Sequence, residues 1–194
     1  MKASRISLPS KWAAVAIFSM IAAALALTLV HRNQITPVKK NNGRSNLQLI
    51  SQVFRDGGVI PQQYTCKGPN VNPPLNFAGV PATAKSLTLI VHDPDAVGGD
   101  YTHWVVYDIP ASAKVIAVSA LPVGAIQGLN SGGNPDYAGP CPPAGTGVHH
   151  YKFELYALDK TLSLSGKVSR TQVESAMKGH VIAQTLLTGI VAAD

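Results

Sequence analysis

Two apolar patterns divide the 194-residue chain. From Trp12 to Val30 runs an uncharged segment rich in Ala, Leu and Ile, apolar on every side rather than along one stripe. Its length is close to the roughly 20 residues that cross a bilayer core as a helix. Lys2, Arg5 and Lys11 precede it, and Ala24-Leu25-Ala26 puts small residues where a signal peptidase reads. Residues 1–30 therefore read as a signal peptide or a transmembrane signal anchor forming an N-terminal apolar helix. The run continues past Ala26 to Val30, longer than a cleaved segment needs, which favours the anchor. Residues 31–46 are polar, with one Pro and one Gly, and read as a linker.

From Leu47 to Asp194 the pattern is different. Gly and Pro recur between short β-branched or aromatic runs, the rhythm of an antiparallel β sandwich. Leu87, Leu89 and Val91 alternate in one predicted strand, which ends at His92-Asp93-Pro94-Asp95. A second, Thr102–Ile109, places His103, Val105, Tyr107 and Ile109 on one face and Trp104, Val106 and Asp108 on the other. The clearest runs from His149 to Leu158, with His149, Tyr151, Phe153 and Leu155 on one face and His150, Lys152, Glu154 and Tyr156 on the opposite one. Near the C-terminus the period lengthens. Thr171–Glu174 has the spacing of a capping box, Val173, Ala176 and Met177 follow at helical spacing, and Gly179 breaks the run. Val181–Leu187 reads as a second short helix.

Charge changes the picture once. The formal net charge of +6 invites a nucleic-acid reading, but seven of the 16 basic residues lie in residues 1–44, which contain no acid. Nine basic against 10 acidic residues remain in the body, whose only arginines are Arg55 and Arg170. No clustered basic face is left for a nucleic-acid partner. Cys66 and Cys141 are the only cysteines. In an exported chain they are a disulfide candidate, with two buried free thiols as the alternative. They form no CxxC and so give no zinc-site spacing; no metal or cofactor is expected in the leading reading, and a metal held by Asp and His belongs to a rival one.

Candidate chemistry gathers where strands meet turns: His92–Asp95, Thr102–Trp104, and the loop Tyr137–Tyr151. Taken singly, Asp93 and Asp95 read as turn caps, His103 and His149 as core histidines, Tyr151 and Trp104 as core aromatics, and His92 and His150 as structural or exposed. Backbone N–H groups near Gly145 and Gly147 could converge on an anion. Together these segments resemble the phosphatidylethanolamine-binding protein family in its bacterial Raf kinase inhibitor-like branch. The resemblance rests on Asp93-Pro94-Asp95-Ala96-Val97, His103-Trp104, Gly139-Pro140-Cys141-Pro142-Pro143 and Gly145-Thr146-Gly147-Val148-His149-His150-Tyr151, with the lead-in IPQQYTCKGPNVNPPLNFAGVP at residues 60–81. It spans about residues 50 to 190.

That resemblance implies an antiparallel Greek-key β sandwich with short C-terminal helices, and at one end a small pocket for phosphate esters or phospholipid head groups. Matched motif by motif, Asp93, His103, Pro142, Pro143, His149 and Tyr151 line the pocket, with Asp95, Tyr137 and Cys141 close by and Cys66 and Cys141 near each other at its rim. Val97 stands where the family usually has Pro, and the tail GIVAAD lacks the Tyr that bacterial relatives often carry after Gly. The implied function is a non-enzymatic binding module, exported, attached to the membrane through residues 12–30, and acting on a protein target such as a protease or kinase. Two rivals stand beside it. An exported protease inhibitor would need a projecting loop, for which the Pro-rich segment 68–74 is the candidate. A hydrolase or metalloenzyme would be built from Asp93, His103 and His149, although no GxSxG or HExxH is present and the Gly139–Thr146 stretch lacks the Lys of a phosphate loop.

Overall fold

The computed structural model describes residues 46–193; the apolar segment and nearly all of the linker lie outside them. The described residues are mainly β, with two sheets and one short α-helix. The smaller sheet has the order β1-β3-β6, formed by Gln48–Ser51 (β1), Leu75–Ala78 (β3) and Val115–Ile116 (β6). The larger has the order β2-β9-β8-β4-β5-β7. Its strands are Gly58–Val59 (β2), Ser86–Asp93 (β4), Tyr101–Pro110 (β5), Ile126–Gly128 (β7), Val148–Leu158 (β8) and Val181–Ala192 (β9). All pairs are antiparallel except the two-residue edge contact of β2 with β9. Among the described residues no helix is long and apolar enough to cross a membrane.

Period-two alternation places one face of the large sheet against the small one. Leu49, Leu75, Phe77 and Ile116 from the small sheet join Leu87, Leu89, Val91, Phe153 and Leu155 from the large one in a single buried cluster. The other face is covered at one end, where Ile90, Val105, Tyr107 and Leu158 pack against Val168, Val173 and Met177. Val173 and Met177 belong to the helix Arg170–Met177 (α1), one turn apart on its buried side. Its capping box starts two residues earlier than the sequence pattern suggested. Ser169 is the N-cap, with Gln172 N–H donating to its hydroxyl and Gln172 Oε1 accepting from its backbone N–H. Glu174 instead accepts from Arg170 Nε at 2.6 Å.

The second predicted helix is a strand. Val181–Leu187 forms the first half of β9, which pairs with β8 from Val181↔Leu158 to Ala192↔Val148. A local apolar pattern with Val181, Ile182 and Thr185 β-branched suits either structure, and the long partner strand decides the outcome. Gly189 lies opposite Tyr151 in this ladder, and a Cβ there would run into the Ile60 side chain and Phe54.

Strand β5 departs from strict alternation twice. Leu87 and Leu89 face Ile109 and Val106, so one extra residue of β5 is accommodated there. Asp108 takes a left-handed backbone (φ 52), and its carboxylate accepts from Leu162 N–H and Ser163 N–H at 2.6 and 2.9 Å. Ile109 is thereby turned into the core with Trp104 and Val106, not onto the face of Val105 and Tyr107 as expected. A second shift separates the pairs Val91↔Trp104 and His92↔Thr102, leaving His103 as the extra residue. Bulges of this kind re-aim a side chain, and this one determines where the His103 ring goes.

Candidate ligand-binding site

Three strand ends and one loop enclose a cavity of about 460 Å³. Asp93 ends β4, His103 lies near the start of β5, and His149 and Tyr151 lie at the start of β8. Asp93 continues the inward-facing series of Leu87, Leu89 and Val91. His103 reaches the same side through its bulge, its ring 5.1 Å from that of Tyr151 and 4.8 Å from that of Tyr101. The cavity is lined by all six residues expected from the motifs, Asp93, His103, Pro142, Pro143, His149 and Tyr151, and by Cys141.

Not every expected neighbour lines it. Asp95 turns outward, where its Oδ2 accepts from the backbone N–H of His150 and lies 2.7 Å from that residue's Nδ1. Tyr137 is buried elsewhere. Its hydroxyl donates to Tyr64 O at 2.9 Å and its ring meets Trp104 edge-on, so its place is structural. Gly145 and Gly147 are not in the lining either; the Thr146 N–H between them closes a turn on Pro143 O. The tail Gly189–Ala192 is strand and adds nothing to the wall.

The sequence reading missed Tyr101, Asn70 and the Ala96–Gly98 turn, all of which line the cavity. Tyr101 carried a faint signal, standing two residues before His103. Asn70 carried none, because its position depends on a contact across the chain, Gly139 N–H to Asn70 Oδ1 at 2.7 Å. Cys66 and Cys141 are joined as a disulfide, with Cα atoms 5.4 Å apart, and both line the cavity. The Pro-rich segment 68–74 does not project. Asn72 is buried and clamps it through Ala117 O and the N–H of Ser119.

The polar floor follows from donor and acceptor matching. Buried Asp93 accepts from Asp95 N–H at 2.9 Å and from His149 Nδ1–H at 2.7 Å. His149 Nε2 lies 2.8 Å from Thr146 Oγ1. A hydroxyl, an imidazole and a carboxylate thus stand in line, the order used to activate a nucleophile. Here, however, the Thr146 hydroxyl also lies 2.7 Å from Pro143 O. The Pro143 carbonyl is thus an acceptor for the Thr146 proton that does not pass through His149. The relay then serves to tie the Pro143–Gly147 turn to Asp93. Thr146 itself is outside the cavity lining.

His103 differs from His149. Its Nδ1–H donates to Ala138 O at 2.6 Å, while Ala138 N–H donates back to His103 O. Burial pulls its pKa down, and the Ala138 bond and the nearby Asp93 offset this only in part. The ring is therefore neutral at pH 7, with Nε2 a bare acceptor. Among the described residues the sealed side-chain polar atoms without a hydrogen bond are Thr88 Oγ1 and His92 Nε2, and His103 Nε2 is not one of them. Burial first, and Asp93 next, push the Tyr151 hydroxyl pKa up, keeping that group protonated.

On the opposite sheet face His92 forms a separate network. Its Nδ1 lies 2.6 Å from Asp100 and its Nε2 lies 3.7 Å from Glu154, while Arg170 binds Asp100 at 2.8 Å and Tyr156 donates to Glu154 at 2.7 Å. Burial depresses the His92 pKa, but Glu154 and Asp100 outweigh it and the net shift is upward. The His92 ring, against the effect of burial and with help from Tyr156, holds Glu154 down to about 2. The raised His92 contributes stability that is complete below its unfolded pKa of about 6.5 and is lost as pH rises through the folded value. The depressed Glu154 contributes above its unfolded pKa of about 4.3 and loses its contribution as pH falls. Thermal melts of His92→Gln against wild type should differ most between about pH 4.5 and 6.5 and converge by about pH 9. A difference that does not vary with pH would show that His92 matters only for packing.

Fold and cavity together define a β protein with a pit at one sheet end, walled mainly by apolar surface with a few polar groups. Residues 50–192 match the family model described as phosphatidylethanolamine-binding protein. The chain belongs to that family, in its bacterial branch. It is 46% identical over 149 residues to a UPF0098 protein of Methanothermobacter thermautotrophicus, covering 74% of this chain and 97% of that one. It is likewise 46% identical over 143 residues to a Mycobacterium tuberculosis protein carrying the lipoprotein name LppC, covering 74% of this chain and 71% of that one. Among solved structures, a phosphatidylethanolamine-binding-protein homologue of Chlamydia trachomatis superimposes with TM-score 0.73 at 42% identity, covering 77% of this chain and 99% of that one. YbcL of Escherichia coli does so with TM-score 0.72 at 31% identity, covering 76% and 99%.

Proposed function

We propose that the protein is a non-enzymatic binding module whose cavity takes a phosphate ester or a phospholipid head group. The observation that carries this is the convergence of Asp93, His103 and Tyr151 on one cavity of about 460 Å³, the size range of small-ligand sites. His103 Nε2 acts as an acceptor there, Asp93 and the Tyr151 hydroxyl bond each other beside it, and His149 and the disulfide hold the walls in place. The Thr146–His149–Asp93 alignment supports a structural tie over hydrolysis, because the hydroxyl proton has the Pro143 carbonyl as its acceptor. The apolar run of residues 12–30 and the lipoprotein name of the mycobacterial relative support an exported, membrane-attached domain that presents this cavity outside the cytoplasm. A protein target, protease or kinase, is reached through the same domain. The inhibitor reading by way of segment 68–74 gains no support, since Asn72 holds that segment down.

Calorimetric titration of phosphoethanolamine into the full chain, with inorganic phosphate release followed in parallel, tests this reading. Saturable binding without release is expected. Absence of binding, or steady release abolished by Thr146→Ala, would overturn it.

A further inference from the structure

We propose that residues 115–126 form a membrane-contact surface, which lays two turn tips against the lipid bilayer. The inference rests on the membrane-attached reading above and adds which face of the domain meets lipid. Residues 115–135, between Lys114 and Asp136, contain no Asp, Glu, Lys, Arg or His, the longest such stretch among residues 46–193. An uncharged apolar stretch ordinarily enters a core, yet within residues 115–126 only Ile116 is buried. Val115, Val118, Val123 and Ile126 are exposed, Val123 at 95%. Exposed apolar surface gathered in this way marks a contact site.

The backbone explains why the valines stand out. Strand β6 is two residues long, so Ile116 alone reaches the core, opposite Leu75. Two β-turns follow, closed by Ala120 N–H to Ala117 O at 3.3 Å and by Ala125 N–H to Pro122 O at 3.0 Å. Each has a valine at its first central position, Val118 and Val123, and a left-handed residue at its second, Ser119 (φ 55) and Gly124 (φ 93). Buried Asn72 fixes the first turn, donating to Ala117 O and accepting from Ser119 N–H. A tip whose backbone is closed in this way enters lipid at lower cost. Ile50 extends the surface, since it and Val115 flank Asn76 in one row of the small sheet and both are exposed. Its strand β1 directly follows residues 31–46. Those residues span at most about 55 Å even when fully extended, so an anchored chain keeps this surface near the bilayer at high effective concentration. Exposed Lys114 at the start of the segment suits anionic head groups. Exposed apolar side chains elsewhere stand among charges: Leu186 lies opposite Glu154, and Val59 follows Arg55 and Asp56.

The test uses the full chain in phosphatidylcholine–phosphatidylglycerol vesicles with one polarity-sensitive thiol label, attached through Val123→Cys. References are Val59→Cys at the β2 edge and Val97→Cys at the cavity, positions that are 66% and 73% exposed. The native cysteines are joined to each other and take no label. The label at 123 should be blue-shifted, quenched by nitroxide lipids and shielded from iodide, and the labels at 59 and 97 should show the reverse. If Val123→Cys fails to fold, Val118→Cys at the other turn tip gives the same comparison. Burying one valine favours contact by about tenfold, so adding Val123→Asp to a chain labelled at 118 should shift the balance from lipid to iodide quenching by that factor or more. Equal iodide quenching at 123, 59 and 97, or lipid quenching strongest at 59 or 97, in chains that float with the vesicles would overturn the inference. Membrane attachment would then stand, and the exposed segment would fall to a protein partner. Chains that do not float with the vesicles would overturn both.

Discussion

Replacing Cys66 and Cys141 together by alanine is expected to lower the unfolding free energy by about 4.5 kcal/mol at 25 °C, from the loop-closure entropy of a cross-link spanning about 75 residues. That is a large part of the roughly 5–15 kcal/mol available to a domain. The bridge joins two segments that hydrogen bonds also hold together, through Cys66 N–H to Pro140 O at 3.1 Å and Gly139 N–H to Asn70 Oδ1 at 2.7 Å. Those bonds remain in the variant, so the native geometry can persist while the unfolded chain gains freedom. Because both cysteines line the cavity, ligand affinity should fall along with stability. Urea unfolding of the oxidised wild type and the double variant measures the first effect and titration the second. A stability loss under about 1 kcal/mol would show that the flanking hydrogen bonds, not the cross-link, determine the stability of this end of the fold.

The site was more legible in the sequence than the strands that build it. Asp93, His149 and Tyr151 could be placed because β4 and β8 alternate without a bulge around them, so period two carries each inward-facing residue to the same wall. His103 is expected at the cavity from the motif match alone, and strand alternation argues against it. Simple alternation puts it with Val105 and Tyr107, away from the small sheet, and only the extra residue near the start of β5 brings its ring between Tyr101 and Tyr151. Nothing local announces that bulge. The Asp108 bulge leaves a trace only in hindsight, since an aspartate in left-handed backbone accepting two N–H groups is a known stabiliser of such a turn, yet its partners Leu162 and Ser163 lie 54 and 55 residues away. The failure at Val181–Leu187 has the same origin. Its residues suit helix or strand, and the deciding term is the ladder with β8, which no window of the sequence contains. The motif match puts Asp95 and Tyr137 close to the pocket without saying which way their side chains turn. In the fold, His150 and the Tyr64 carbonyl claim their polar atoms.

Removing the imidazole of His149 should be the most damaging single substitution at the cavity. The ring is 1% exposed and is the donor to Asp93 Oδ2, itself on a residue only 3% exposed. His149→Ala leaves that carboxylate buried without its imidazole donor, and also releases Thr146, so the Pro143–Gly147 turn loses its tie to β4. Breaking a buried pair by deleting one partner costs about 3–5 kcal/mol, well beyond the 1 kcal/mol or so of an ordinary hydrogen bond. Thr146→Val removes only the outer link and should cost about 1 kcal/mol. The two variants therefore separate the roles of the relay. If Asp93 must be held in place for a ligand to bind, His149→Ala abolishes binding while Thr146→Val weakens it only slightly, both as measured by titration under conditions where circular dichroism shows folded protein. Equal losses of stability in the two variants would mean that the turn, and not the buried carboxylate, is what His149 supports. A folded His149→Ala protein with undiminished affinity would detach Asp93 from ligand recognition altogether.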